Sequence, residues 1–84
     1  MRKVDYSRDA LKTLRMVDAV TAKRLQQKVA QFAASPASLT NQVKRLKGED
    51  NLWRLRVGDW RVIFSQDFVV VYVVRIAPRG RVYD

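Results

Sequence analysis

The stretch LWRLRVGDWRVIF, Leu52 to Phe64, constrains what this chain can fold into more than any other segment. Gly58-Asp59 lies between two runs in which apolar and polar residues alternate. That is the mark of a two-residue hairpin, with the glycine supplying the positive φ that a type II′ turn needs at its first central position. Counting outward from the turn sets Val57 opposite Trp60, Arg56 opposite Arg61, Leu55 opposite Val62, Arg54 opposite Ile63 and Trp53 opposite Phe64. Successive side chains of a strand point to opposite faces. Trp53, Leu55, Val57, Trp60, Val62 and Phe64 therefore gather on a core face, and Arg54, Arg56 and Arg61 on the other. An arginine set opposite an arginine forfeits roughly a few tenths of a kcal/mol that a mixed pair would gain. An anionic ligand is a reason to keep such a pair, whereas three surface arginines reaching into solvent would need none.

The rest of the chain supplies the other layers. KVDY reads as a short strand. Ser7 can then cap a helix through SRDALKTLRMV, with Asp9 in its first turn and Ala10, Leu11, Leu14 and Val17 on one face. Asp18 can cap a second helix, AVTAKRLQQKVAQFAAS, in which Ala22, Leu25, Val29 and Phe32 recur at helical spacing until Pro36 stops it. Its opposite face, Lys23, Arg24, Gln27, Lys28 and Gln31, is polar and basic. From Ser35 to Asn51 the sequence is irregular and basic, either a functional loop or a partly ordered one. FVVVYVVRIA reads as a third strand after a tight turn at Gln66-Asp67, apolar on both faces and so interior to its sheet, with its inward parity left open. The expected fold is α+β: an N-terminal strand and a helical hairpin packed on one face of a mostly antiparallel sheet. At 84 residues it is expected to be a single domain spanning 1–84, since a chain this short buries only roughly 60–65% of its unfolded surface.

Charge narrows the partner. Lys and Arg number 17 against 8 Asp and Glu, a formal net charge of +9 without histidine, which calls for a polyanion: nucleic acid, an anionic membrane or an acidic protein. The two halves differ in kind. Residues 1–43 carry four Arg and four Lys, residues 44–84 seven Arg and two Lys, and the planar arginine fork grips phosphate at two points where lysine acts as a point charge. VKRLKG places Lys44, Arg45 and Lys47 within four positions, and PRGRVYD adds Arg79, Arg81 and Tyr83, a ring that can stack on a base or cover a sheet end. With neither cysteine nor histidine, a protein-built transition-metal site is disfavoured, and no cofactor is expected. The N-terminus lacks a signal-peptide apolar run, and the longest apolar stretch, Phe68 to Val74, is far too short to span a bilayer. A cytoplasmic protein without membrane contact is expected.

In order and spacing, the strand, LKTLRMVDAVTAKRLQQKVAQF, LKG, LWRLRVGDWRVIF and VVVYVVRIAPRGRVYD resemble the RelE side of the RelE/ParE toxin superfamily over nearly the whole chain. The resemblance implies a type II toxin that binds the ribosomal A site and cuts mRNA there, as a metal-independent endoribonuclease. It also implies a cognate acidic, RelB-like antitoxin, through which alone the toxin would reach operator DNA. The family's catalytic positions fall on Arg54, Arg56, Arg61, Arg79 and Tyr83, and Lys44, Arg45, Lys47 and Arg81 are expected to contact RNA. Some relatives carry lysines where this chain has Arg54 and Arg56, and many carry histidine where it has Pro78, so no general base is assigned. Two other functions fit the same residues: a ParE-like toxin that inhibits DNA gyrase, and a non-catalytic basic RNA-binding protein.

Overall fold

The computed structural model describes residues 1–48 and 51–80. Strand β1, Lys3–Tyr6, leads into helix α1, Arg8–Met16, and helix α2, Ala19–Ala34. The segment Pro36–Gln42 forms 3₁₀ turns with a kink at Leu39, followed by β2, Val43–Arg45; β3, Trp53–Val57; β4, Trp60–Gln66; and β5, Val70–Pro78. The five strands form one sheet in the order β1-β5-β4-β3-β2. Only β1 and β5 run parallel. The helices carry the chain across one face from the β1 edge to the β2 edge, and the β2–β5 meander returns it so that β5 closes against β1.

Both helices start where the capping residues place them. The Ser7 hydroxyl accepts from Ala10 N at 3.0 Å, and the Asp18 carboxylate accepts from Thr21 N at 3.0 Å and from the Thr21 hydroxyl at 2.6 Å. Those bonds hold the Asp18 carboxyl below its ordinary pKa, the Thr21 hydroxyl first and its N–H second. The apolar stripe of α2 is buried at Leu25, Val29 and Phe32, and Pro36 follows directly on its C-cap, Ser35. In α1 the buried residues are Ala10 and Leu14, while Leu11 is exposed: the helix is nine residues long and lies on β5 by one narrow stripe.

The hairpin has the expected register, pair for pair, from Trp53↔Phe64 to Val57↔Trp60. Gly58 takes a φ of +58°. Phe64, 1% exposed, is the centre of the core, with the Phe32 ring 4.9 Å away and the Trp53 ring stacked at 6.2 Å.

Three features depart from the sequence reading. The stretch after Ser35, expected to be irregular, is held by its buried Leu39 and Leu46 and yields the short strand β2, whose three pairs with β3 put it at the sheet edge. The third strand starts at Val70 rather than Phe68, because the Asp67 carboxylate accepts from Val69 N at 2.7 Å and Val70 N at 2.8 Å and turns Phe68 and Val69 out into solvent. And β5 has no single inward parity. Ile63 pairs with Arg75 but Phe64 pairs with Val73, so Val74 is an extra residue and the inward set changes from Val71 and Val73 to Ile76. The bulge is anchored: the Ser7 hydroxyl donates to Val74 O at 2.6 Å, and Ser7 N donates to Val73 O at 2.8 Å.

Candidate functional site

Because the helices cover one face, the other is left for the odd-man residues of each strand. From β2 to β5 the register lays out two rows on it. Lys44, Arg54, Ile63 and Arg75 are successive Cα partners, and Arg56, Arg61 and Ala77 are a second set nearer the Gly58 turn. Directly opposite residues in a sheet lie about 4.5–5.5 Å apart, so Lys44, Arg54, Arg56, Arg61 and Arg75 form a contiguous cationic surface. On the same face the edge strand β1 contributes Asp5, opposite Tyr72.

The arginines are not equivalent. Arg56 is exposed and Arg54 half-buried. Arg61 is only 5% exposed, and its Nη1 donates to Gly58 O at 3.0 Å and to Trp60 O at 3.1 Å. The expectation that Arg61 points away from the core face is met, but the residue also props the turn, so its removal would disturb the hairpin. Ala77 across from it on β5 presents only a methyl group, which leaves room for the guanidinium.

Arg79, exposed, is brought to the same end of the sheet by a bond from its N–H to Asp59 O at 2.7 Å. Tyr83 and Arg81 lie outside the described residues.

The basic segment is divided. Lys44 falls on the arginine face. Arg45 belongs to the helix side, its guanidinium 5.3 Å from the Trp53 ring centroid, a cation–π contact across the strand pair. Lys47 is exposed in the turn that follows β2.

Arg75 was missed by the sequence reading, since the bulge at Val74 hid its parity. The available signal was the residue itself, the lone charge in an otherwise apolar strand. Among the described residues no group of three or more His, Cys, Asp or Glu converges as a metal cage would require, and no helix is long and apolar enough to cross a membrane.

The cluster can hold a phosphate and stabilise charge that builds on it, since fixed guanidinium donors aimed at a developing oxyanion need no reorganisation. Comparison with known proteins agrees with the fold that carries it. The archaeal RelE–RelB complex of Pyrococcus horikoshii contains a chain 26% identical to this one, with a TM-score of 0.78, covering 96% of this chain and 98% of that one. The isolated Escherichia coli RelE toxin superposes with a TM-score of 0.76 at 20% identity, over 98% of this chain and 88% of that one. A chain of the RelB–RelE antitoxin–toxin complex of Methanococcus jannaschii gives 0.73 at 23% identity, over 95% of both. No curated protein sequence matches. The sequence profile described as the ParE toxin of the type II toxin–antitoxin system parDE matches residues 4–83. By that match the chain belongs to the ParE toxin family of type II toxin–antitoxin systems, within the RelE/ParE superfamily.

Proposed function

We propose that residues 1–84 act as one toxin domain, a ribosome-dependent endoribonuclease of the cytoplasm that cuts mRNA in the A site. The observation that carries this reading is the row of arginines on the open face, with Arg56 paired to Arg61 in the expected register and Arg79 hydrogen-bonded beside the same turn. The ribose 2′-OH attacks the adjacent phosphorus. A 2′-O–P bond forms as the P–O5′ bond breaks, the hydroxyl proton passes to solvent water, and the departing 5′ oxygen takes up a proton from water. The products are a 2′,3′-cyclic phosphate upstream and a 5′-OH downstream. Arg54 and Arg56 bind the non-bridging oxygens, Arg61 holds the turn and adds charge from beneath, and Arg79 stabilises the leaving side while Tyr83 stacks on a base. Arginine stays protonated at neutral pH and is no base. Positioning and charge therefore carry the catalysis, with the ribosome holding the mRNA in line for attack, and naked RNA is a poor substrate. Lys44, on the same face, together with Lys47 and Arg81, contacts RNA around the cut, while Arg45, turned to the helix side against Trp53, contacts RNA only beyond the sheet edge.

The antitoxin is a small acidic protein of the RelB kind, encoded beside the toxin. A charge of +9 supports an acidic partner, and the fully exposed Phe68 beside a concavity of about 600 Å³ lined by Arg2, Pro36 and Trp53 offers it an apolar hold.

Induction of the wild-type chain followed by mapping of mRNA 5′ ends tests the reading. Cuts confined to translated frames with 5′-OH ends are expected. The family profile supports a second reading, a ParE-like gyrase inhibitor; gyrase-linked DNA breaks with mRNA intact would establish it and overturn the first.

A further inference from the structure

Beyond the open face lies a crevice of about 260 Å³ between α2, the 3₁₀ turns and the Gly58 turn. The described residues that line it include Arg24, Lys28 and Arg56, and none of the described lining residues is acidic. Arg24 and Lys28, four residues apart, are neighbours on one face of α2; Arg56 arrives from β3. Its position follows from the sheet: β2 ends opposite Leu55, leaving Arg56 and Val57 on an uncovered edge. The Arg24 guanidinium lies against the turn: a Cβ at Gly58 would stand 3.1 Å from its Nη2 and 3.2 Å from its Nη1, a tight approach that the arginine tip could relieve by shifting, while the φ of +58° is what favours glycine there. The buried Leu39 and Val57 also line the crevice, giving it an apolar wall that strengthens any charge interaction inside it.

We propose that this crevice is a second phosphate site, which binds a backbone phosphate of RNA away from the reacting centre and so positions the chain on its substrate. The proposal rests on the RNA-cleaving reading. Cationic residues brought to one concavity from two elements favour an anion there. A polyanion is favoured over an isolated carboxylate because β3 carries Arg56 on the open face and borders the crevice at the same residue, so a strand lying on one runs past the other. Contacts of this kind fix register and carry no sequence preference.

The test uses the full chain and a fluorescein-labelled single-stranded RNA with 2′-O-methyl sugars, which lacks the attacking hydroxyl and cannot be cut. Its affinity is measured by anisotropy over a range of salt for the wild type, for Arg24→Gln/Lys28→Gln, and for Arg8→Gln/Lys12→Gln, a matched pair on α1 with the same loss of charge. Loss of one phosphate contact should reduce the log–log salt slope by about 0.7 in the α2 variant and leave the α1 variant near the wild type. Lys28→Gln alone serves if the double variant fails to melt as the wild type does. Equal shifts in both variants would reduce the crevice to diffuse charge, and an unchanged slope in the α2 variant would remove the site; either overturns the proposal. So would a polyglutamate peptide whose binding alone depends on the α2 pair, which would assign the crevice to an acidic protein. Intact mRNA in a translation system, with the slope change still present, would sink the cleavage reading and leave the crevice standing.

Discussion

On the covered face of β3 and β4, Leu55, Val57, Val62 and Phe64 are each at most 3% exposed and belong to the core that α2 completes. On the other face of the same two strands, Arg54, Arg56 and Arg61 stand side by side. The covered face stabilises the sheet and sets its register, since a slip by one residue would turn every apolar side chain outward. The open face sets Arg56 opposite Arg61, a pairing that forgoes a little of the stability a mixed pair would give. The contrast teaches that the arginines are held in place by the packing of the covered face, and that damage to the two faces should have separable signatures.

The largest effect should come from the covered face. Phe64→Ala removes the ring between Phe32 and Trp53 and should cost about 3–5 kcal/mol in chemical unfolding, with toxicity lost through loss of the fold. Arg61 breaks the clean division: Arg61→Gln should lower stability by about 1–3 kcal/mol, because the Gly58 and Trp60 carbonyls lose their donor, and should also slow mRNA cleavage. Measuring unfolding and cleavage on the same preparation separates the two roles. Ser7→Ala should cost about 1–2 kcal/mol, since the hydroxyl both caps α1 and donates to the bulge carbonyl of Val74. Arg75→Gln, at an exposed position of the open face, should leave unfolding within about 0.5 kcal/mol while weakening RNA binding.

Acid gives the smallest and most diffuse effect. The Asp67 carboxyl lies below its ordinary value of 3.8 because Val70 and then Val69 donate to it, and Asp18 is lowered by Thr21. Both groups are depressed on folding, so their contribution is complete above that ordinary value and is lost as pH falls through the lowered folded values. Unfolding followed against pH in Asp18→Asn/Asp67→Asn should show a shallower acid limb than the wild type.

Most of the fold was legible because its signals are local. Ser7 and Asp18 mark helix starts, Pro36 marks a stop, and Gly58-Asp59 sets a register that propagates through five residue pairs. What stayed hidden depends on distant partners. The parity of β5 is changed by one extra residue, Val74, whose carbonyl is satisfied from Ser7, sixty-seven positions earlier in the chain. That displacement kept Arg75 out of the expected site. The short strand β2 exists only because β3 offers it an edge, which no propensity within VKR would show. The burial of Arg61 was equally out of reach: alternation gives a face, and says nothing of how a side chain folds back onto its own turn.

The central claim is that the open face is kept for a phosphate at some expense of stability, and Arg56→Gln tests it most directly. Arg56 is exposed and paired with Arg61, so the variant removes a like-charge pair and leaves the core untouched. Its urea unfolding and its cleavage of mRNA in a purified translation system are to be measured together. The account predicts a chain at least as stable as the wild type that cuts about 10²–10³-fold more slowly. A variant that cuts at the wild-type rate, or one that is inactive only because it unfolds, would contradict it.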